Sequence, residues 1–191
     1  MKNYHYSNKL AMILNQQFYN RDTKTVAKDL LGKFLIRKID SREIAGMITE
    51  VEAYCGPSDK ASHASKGKTV RTEVMFGKPG TAYVYLIYGM YYCFNVVTEK
   101  KGYPAAVLIR SIVVSDESAK TDGPGKLCRY LEIDKNLNKT DLCVGRNLWI
   151  EDRGAEVKKS DITSSPRIGV GYAEDYKDKE WRFSLMGYKG L

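Results

Sequence analysis

The sequence has little that would hold a metal or a disulfide framework. Its four cysteines, Cys55, Cys93, Cys128 and Cys143, form no Cys-x-x-Cys pair, and its two histidines are His5 and His63. That set gives no tetrahedral N/S ligand spacing, so no metal site is expected. Secreted disulfide scaffolds are shorter and denser in cysteine; reduced thiols in a cytoplasmic protein are the simpler expectation. The longest apolar run near the start is LAMIL, residues 10–14, too short for a bilayer span or a signal-peptide core. No dense Lys/Arg tract suggests nuclear import. Internal repeats, low-complexity tracts and Pro/Ser-rich linkers are missing, so one domain over residues 1–191 is expected, with residues 1–20 as an arm or short helix.

What the chain does have is tyrosine and positive charge. Tyr supplies 14 residues against 5 Phe and 2 Trp, and the formal net charge is +8. Tyr offers a flat face and a polar tip, which suits a stacking surface as well as a core. The charge favours a polyanionic partner, nucleic acid before anionic membrane. A basic protein with no such partner is the plain alternative. At this length a chain buries roughly 70% of its unfolded surface and needs no staples.

Local pattern gives an α+β reading with an antiparallel sheet at the centre. RDTKTVAKDLLGK reads as a helix, with Asp22 as N-cap and Gly32 as stop. FLIRKI is a strand. EIAGMITEVEAY alternates with period two, placing Ile44, Ile48, Glu50, Glu52 and Tyr54 on one face and a core-like Met47, Thr49, Val51 and Ala53 on the other. Residues 55–80 read as a long basic loop. Residues 81–88, 91–98 and 105–114 form a meander whose first turn lies at Gly89-Met90. Pro124 opens a short helix with Leu127, Tyr130 and Leu131 inward. NLWI, RIGVGYA and WRFSL are expected as further strands.

A few residues break their surroundings. Glu50 and Glu52 share a strand face with α-carbons about 6.5–7 Å apart; they fit either paired carboxylates for glycosidic hydrolysis or a solvated strand end. Arg110 lies inside AAVLIRSIVV and needs a carboxylate partner or a site to face. Asn95 sits mid-strand in YYCFNVV, where its amide must be satisfied. His63 lies in the basic loop. GPGK, residues 123–126, lacks P-loop spacing, and GVG, residues 169–171, is too short for a dinucleotide motif.

The segments EVEAYCGPSDKASHA, MFGKPGTAYVYLIYGMYYCFNVV, AAVLIRSI and GPGKLC occur in that order, followed by RIGVGYA and WRFSL. Together they resemble the alkyladenine DNA glycosylase family, also called 3-methyladenine or methylpurine DNA glycosylases. The likeness runs from about residue 30 to residue 185.

The resemblance implies a curved antiparallel sheet, partly open and barrel-like, flanked by helices. It implies a monofunctional DNA repair enzyme that flips alkylated or deaminated purines from duplex DNA and hydrolyses the N-glycosidic bond, leaving an abasic site. No cofactor, metal, membrane or obligate protein partner is implied. The partner is double-stranded DNA containing damaged purines, and the location cytoplasmic, at the nucleoid in a bacterium.

By the same resemblance, Glu52 matches the general base and Arg110 a residue that helps hold the attacking water. Tyr54, His63 and Tyr85 match the rings around the flipped base. Tyr88 matches the wedge in the duplex, and Asn95 the residue that crowds the guanine amino group. The chain departs from the family pattern at Thr72, where Asn is expected, and at RYL, residues 129–131. A non-catalytic base-stacking module and a hydrolase of free nucleosides are the alternatives.

Overall fold

The computed structural model describes residues 11–187. Among the described residues, nine strands form one antiparallel sheet in a curled, half-barrel arrangement with few helices. The strands are β1 (Met12–Ile13), β2 (Phe34–Ile39), β3 (Arg42–Tyr54), β4 (Ala82–Ile87), β5 (Tyr91–Val97), β6 (Ala106–Val113), β7 (Leu148–Asp152), β8 (Ile162–Ser165) and β9 (Arg182–Leu185). Their order is β1-β7-β2-β3-β6-β5-β4, with β9 joining β3 and β8 joining β9. This is the expected α+β class with a curved sheet.

Helix α1 (Gln16–Tyr19) lies in the expected N-terminal arm, whose residues 1–10 fall outside the described residues. Helix α2 (Thr23–Leu30) begins as its sequence dictates: the Asp22 carboxylate accepts the Thr25 amide, and Gly32 follows the last turn with φ +81°, a conformation that glycine adopts without strain. Helix α3 (Pro124–Tyr130) carries Pro124 in its first turn. Its Leu127 and the following Leu131 are fully buried, while Tyr130 is half-buried at the same core.

Strand β3 organises the molecule. Its first half pairs with β2 on one side, its second half with β9 on that same side, and β6 runs along the other. The strict alternation read from the sequence does not hold along it. Ile48 packs in the main core with Val51, Ala53, Ile109 and Ile112, and Ile44 packs against that core, whereas Met47 joins a separate cluster with Phe34, Ile36 and Trp149. The inward face therefore changes parity midway. The β3–β6 register is irregular around Glu50, and Thr49 there donates to Ser111 at 3.2 Å. A bulge of this kind re-aims the side chains beyond it, sending Glu52, Tyr54, Arg110, Leu108 and Ala106 away from the main core.

RIGVGYA is not a strand. Residues 167–173 form turns, with Gly169 at φ +77°. The pairing beside β9 is instead supplied by β8, residues with no strong alternation. The basic loop, residues 55–80, contains two 3-10 turns, His63–Lys66 and Glu73–Phe76, and is packed rather than loose: Ala64, Val74 and Met75 are buried against Tyr83, Val97 and Ala106.

Candidate active site

A cavity of about 540 Å³ opens on the sheet face opposite the main core, a volume within the usual range for small-ligand clefts. Strand β3 contributes Glu52 and Tyr54, β4 Tyr83 and Tyr85, β5 Cys93 and Asn95, and β6 Leu108 and Arg110. The basic loop adds His63 and Arg71, and residues 168–172 close the opposite side. All seven residues singled out from the sequence line this one cavity: Glu52, Tyr54, His63, Tyr85, Tyr88, Asn95 and Arg110.

Glu52 is fully buried. Its Oε1 accepts the Ile168 amide at 2.8 Å and its Oε2 accepts the Tyr54 hydroxyl at 2.8 Å. Arg110 Nη1 lies 3.3 Å from Oε1. Burial pushes the Glu52 carboxyl above the ordinary carboxylate range, against the pull of Arg110, the Ile168 amide and the Tyr54 hydroxyl. Burial and the adjacent Glu52 push the Tyr54 phenol far above its usual value, so it stays protonated and donates.

The sequence left open whether Arg110 is an ion-pair member or faces a site. It does both. Its Nε donates to Glu50 Oε1 at 3.2 Å, and Arg182 Nη1 lies 2.9 Å from the same oxygen. Glu50 thus holds two arginines and does not line the cavity. Ile112, two residues beyond Arg110, packs in the main core on the far side of the register shift.

Rings dominate the β4–β5 wall. The His63 and Tyr85 centroids are 4.6 Å apart at 75°, and His63 Nδ1 hydrogen-bonds the Tyr83 hydroxyl at 3.1 Å. Burial, aided by Arg71, lowers the His63 pKa to about 4, which leaves the ring neutral near pH 7. Asn95 Nδ2 donates to the Tyr83 carbonyl at 3.1 Å, which satisfies the amide and fixes its position in the wall.

Tyr88 is 81% exposed at the β4–β5 tip. The turn sits one residue earlier than the sequence suggested: Tyr88 and Gly89 both have positive φ, 53° and 68°, and the Met90 amide donates to the Ile87 carbonyl. Consecutive left-handed residues match the twist of a tight hairpin, at a cost of roughly 1–2 kcal/mol for a non-glycine such as Tyr88. Tyr91 also lines the cavity and lies against Gly125, where a Cβ would come within 2.9 Å of its ring.

Sequence reasoning missed two residues that frame Glu52. Asp59 and Arg167 form a pair whose side chains are wholly buried, with contacts of 2.6 and 2.8 Å. Arg167 also donates to the Ala53 carbonyl and lies 4.8 Å over Tyr54 and 5.0 Å over Trp181. Asp59 accepts the Cys55 and Ala61 amides. The signal was available, since PRIGV sets a cation in apolar sequence as AAVLIRSIVV does. Thr72 answers the question raised by its departure from the family pattern. It is buried, accepts the Thr69 amide at 2.8 Å and donates to the Gly67 carbonyl at 3.0 Å, stapling the loop without an asparagine. Among the described residues no three His, Cys, Asp or Glu side chains converge as a metal site.

The sequence profile of the methylpurine-DNA glycosylase family matches residues 17–189, and the chain belongs to that family. A protein of Methanocella arvoryzae, provisionally named 3-methyladenine DNA glycosylase, is 50% identical over 185 residues, covering 90% of this chain and 91% of its own. Proteins with the same provisional name from Desulfitobacterium hafniense and Clostridium tetani are 44% and 46% identical, covering 90% and 91% of this chain and 94% and 96% of their own.

Proposed function

We propose that this protein is a monofunctional DNA glycosylase that turns alkylated or deaminated purines out of duplex DNA and hydrolyses the N-glycosidic bond. The observation that carries the proposal is the fully buried Glu52 carboxylate in a ring-lined cavity, held by Ile168, Tyr54 and Arg110. A buried base cannot be reached while its target is stacked in a helix, so the nucleotide is extruded first. Tyr88, exposed on the hairpin tip, fills the gap it leaves. Tyr54, His63 and Tyr85 hold the extruded base by its faces and edge.

Glu52 takes a proton from water as the water oxygen bonds to C1′. The C1′–N9 bond breaks and its electron pair leaves with the purine. Burial keeps the carboxyl pKa above the ordinary range, which makes the carboxylate a stronger base than a solvated one. Arg110 orients it and, with it, the water. The direct test is release of single defined lesions, 3-methyladenine, 7-methylguanine, hypoxanthine and ethenoadenine, from otherwise identical duplexes. Binding without release would reduce the protein to a stacking module, and release from free nucleosides alone would make it a nucleoside hydrolase.

Two further results follow from this reading. Asn95, fixed by Tyr83 in the cavity wall, occupies the space that a guanine amino group would enter. Asn95→Ala is expected to raise release of normal guanine about tenfold; no gain would leave Asn95 a purely structural residue. With a net charge of +8, binding to duplex DNA is expected to fall more than about tenfold between about 50 and 200 mM salt. A flat salt response would contradict a DNA-binding surface.

A further inference from the structure

The cavity lining carries one acid, Glu52, against three cations, Arg71, Arg110 and Lys126. Arg110 is engaged by Glu50 and Glu52, and Lys126 by Asp122 at 2.9 Å. Arg71 has no carboxylate partner among the described residues. Its guanidinium carbon lies 4.9 Å from the centroid of Tyr85. Its charge also bears on His63, whose own ring stays neutral near pH 7 and adds none. The backbone that presents Arg71 is fixed, because the neighbouring Thr72 is buried and stapled to Thr69 and Gly67. Arg71 is itself solvent-exposed, so an unpaired positive charge stands at the rim of the ring wall, beside Tyr85.

We propose that Arg71 is a specificity-determining residue that tilts the enzyme toward neutral purine lesions and away from cationic ones. The inference rests on the glycosylase reading and deepens it by naming the favoured substrate class. A purine alkylated at N3 or N7 is a cation in DNA, and it becomes neutral only when the C1′–N9 electron pair moves onto the ring. Arg71 opposes its entry. A deaminated or etheno-bridged purine enters neutral and gathers negative charge as the same bond breaks, and Arg71 stabilises that charge where it develops. Counted from the stacked duplex to the transition state, the cationic class gains little from Arg71, because the repulsion met on entry is relieved as the bond breaks, whereas the neutral class gains the stabilisation of its developing charge. The cationic class is intrinsically labile and needs less assistance, so it remains a substrate at a lower relative advantage. In either case water oxygen bonds to C1′ and its proton passes to Glu52.

The test is single-turnover release of hypoxanthine and of 7-methylguanine from matched duplexes by the wild type, Arg71→Met and Arg71→Lys. The hypoxanthine-to-7-methylguanine rate ratio is expected to fall about tenfold in Arg71→Met and to stay within about threefold of wild type in Arg71→Lys, which keeps the charge. A ratio is insensitive to the fraction of active protein, so partial misfolding does not mimic the effect. If the wild type releases both bases and Arg71→Met leaves the ratio unchanged, the specificity role is overturned and the glycosylase reading stands. If the wild type releases no damaged base, the glycosylase reading fails and this inference falls with it.

Discussion

Glu52→Gln is expected to bind lesion DNA like the wild type, to lose about 10²–10⁴-fold in single-turnover excision, the range for a positioned general base, and to melt at a higher temperature. The first two effects follow from removing a proton acceptor while keeping its shape. Gln retains an oxygen for the Ile168 amide and an amino group that the Tyr54 hydroxyl can accept. Arg110 is not orphaned, because Glu50 still engages its Nε.

The gain in stability follows from linkage. Burial raises the folded-state pKa of Glu52 above its ordinary value, so the folded protein holds that proton more tightly than the unfolded chain. The wild type therefore has its full stability below the unfolded pKa. It loses part of it as pH rises from that value through the folded pKa. The melting-temperature gap between variant and wild type should open across this window and stay open at neutral pH. Near wild-type excision by the variant would remove Glu52 from the role of base. A gap that does not widen with pH would mean the carboxylate is better solvated than its burial implies.

The sequence was most readable where one physical rule acted alone. Asp22 and Gly32 bracket α2 because capping and positive φ are local demands. Tyr83 shares a face with Tyr85, and Cys93 with Asn95, as period two dictates, because β4 and β5 keep their register throughout. The resemblance to a family carried the roles of the cavity residues; alternation alone left Glu50 and Glu52 equivalent. The structure separates them: Glu50 accepts from two arginines, while Glu52 alone lines the cavity.

The misreadings had non-local causes. The register shifts on either side of Glu50, which leave Thr49 and Arg110 unpaired in the ladder, depend on two strands meeting, and neither strand's pattern reveals them. RIGVGYA looked like a strand because Ile168, Val170 and Tyr172 alternate. Gly169, at positive φ between the first two, instead allows a turn that aims the Ile168 amide at Glu52. Asp59 sits in a loop of small and polar residues, and its partner lies 108 positions away. No window of sequence contains both.

That distant pair should be the most costly to break outside the catalytic set. Asp59→Ala is expected to destabilise the fold by about 3–5 kcal/mol, because it leaves the Arg167 charge buried and uncompensated. Against a total of about 5–15 kcal/mol for a domain, this is a large share. At about 2–4 °C per kcal/mol for a chain of this size, the melting temperature should fall by about 6–20 °C. Arg167 has no slack to absorb the loss: its Nε is buried without a hydrogen-bond partner, and its remaining acceptors are the Ala53 and Tyr176 carbonyls.

The damage should reach function through the backbone. Arg167 immediately precedes Ile168, and Asp59 anchors the amides on either side of it in the loop that leads to His63. Releasing the pair frees both walls that hold Glu52 and the base. Asp59→Asn with Arg167→Gln, which removes both charges together, should recover part of the loss, since no lone charge stays buried. Thermal unfolding of the two variants decides the matter. A fall of under about 1 kcal/mol for Asp59→Ala, the size expected for an exposed pair, would show that water reaches Arg167. The clamp would then be a surface contact and not the frame on which the Glu52 geometry depends.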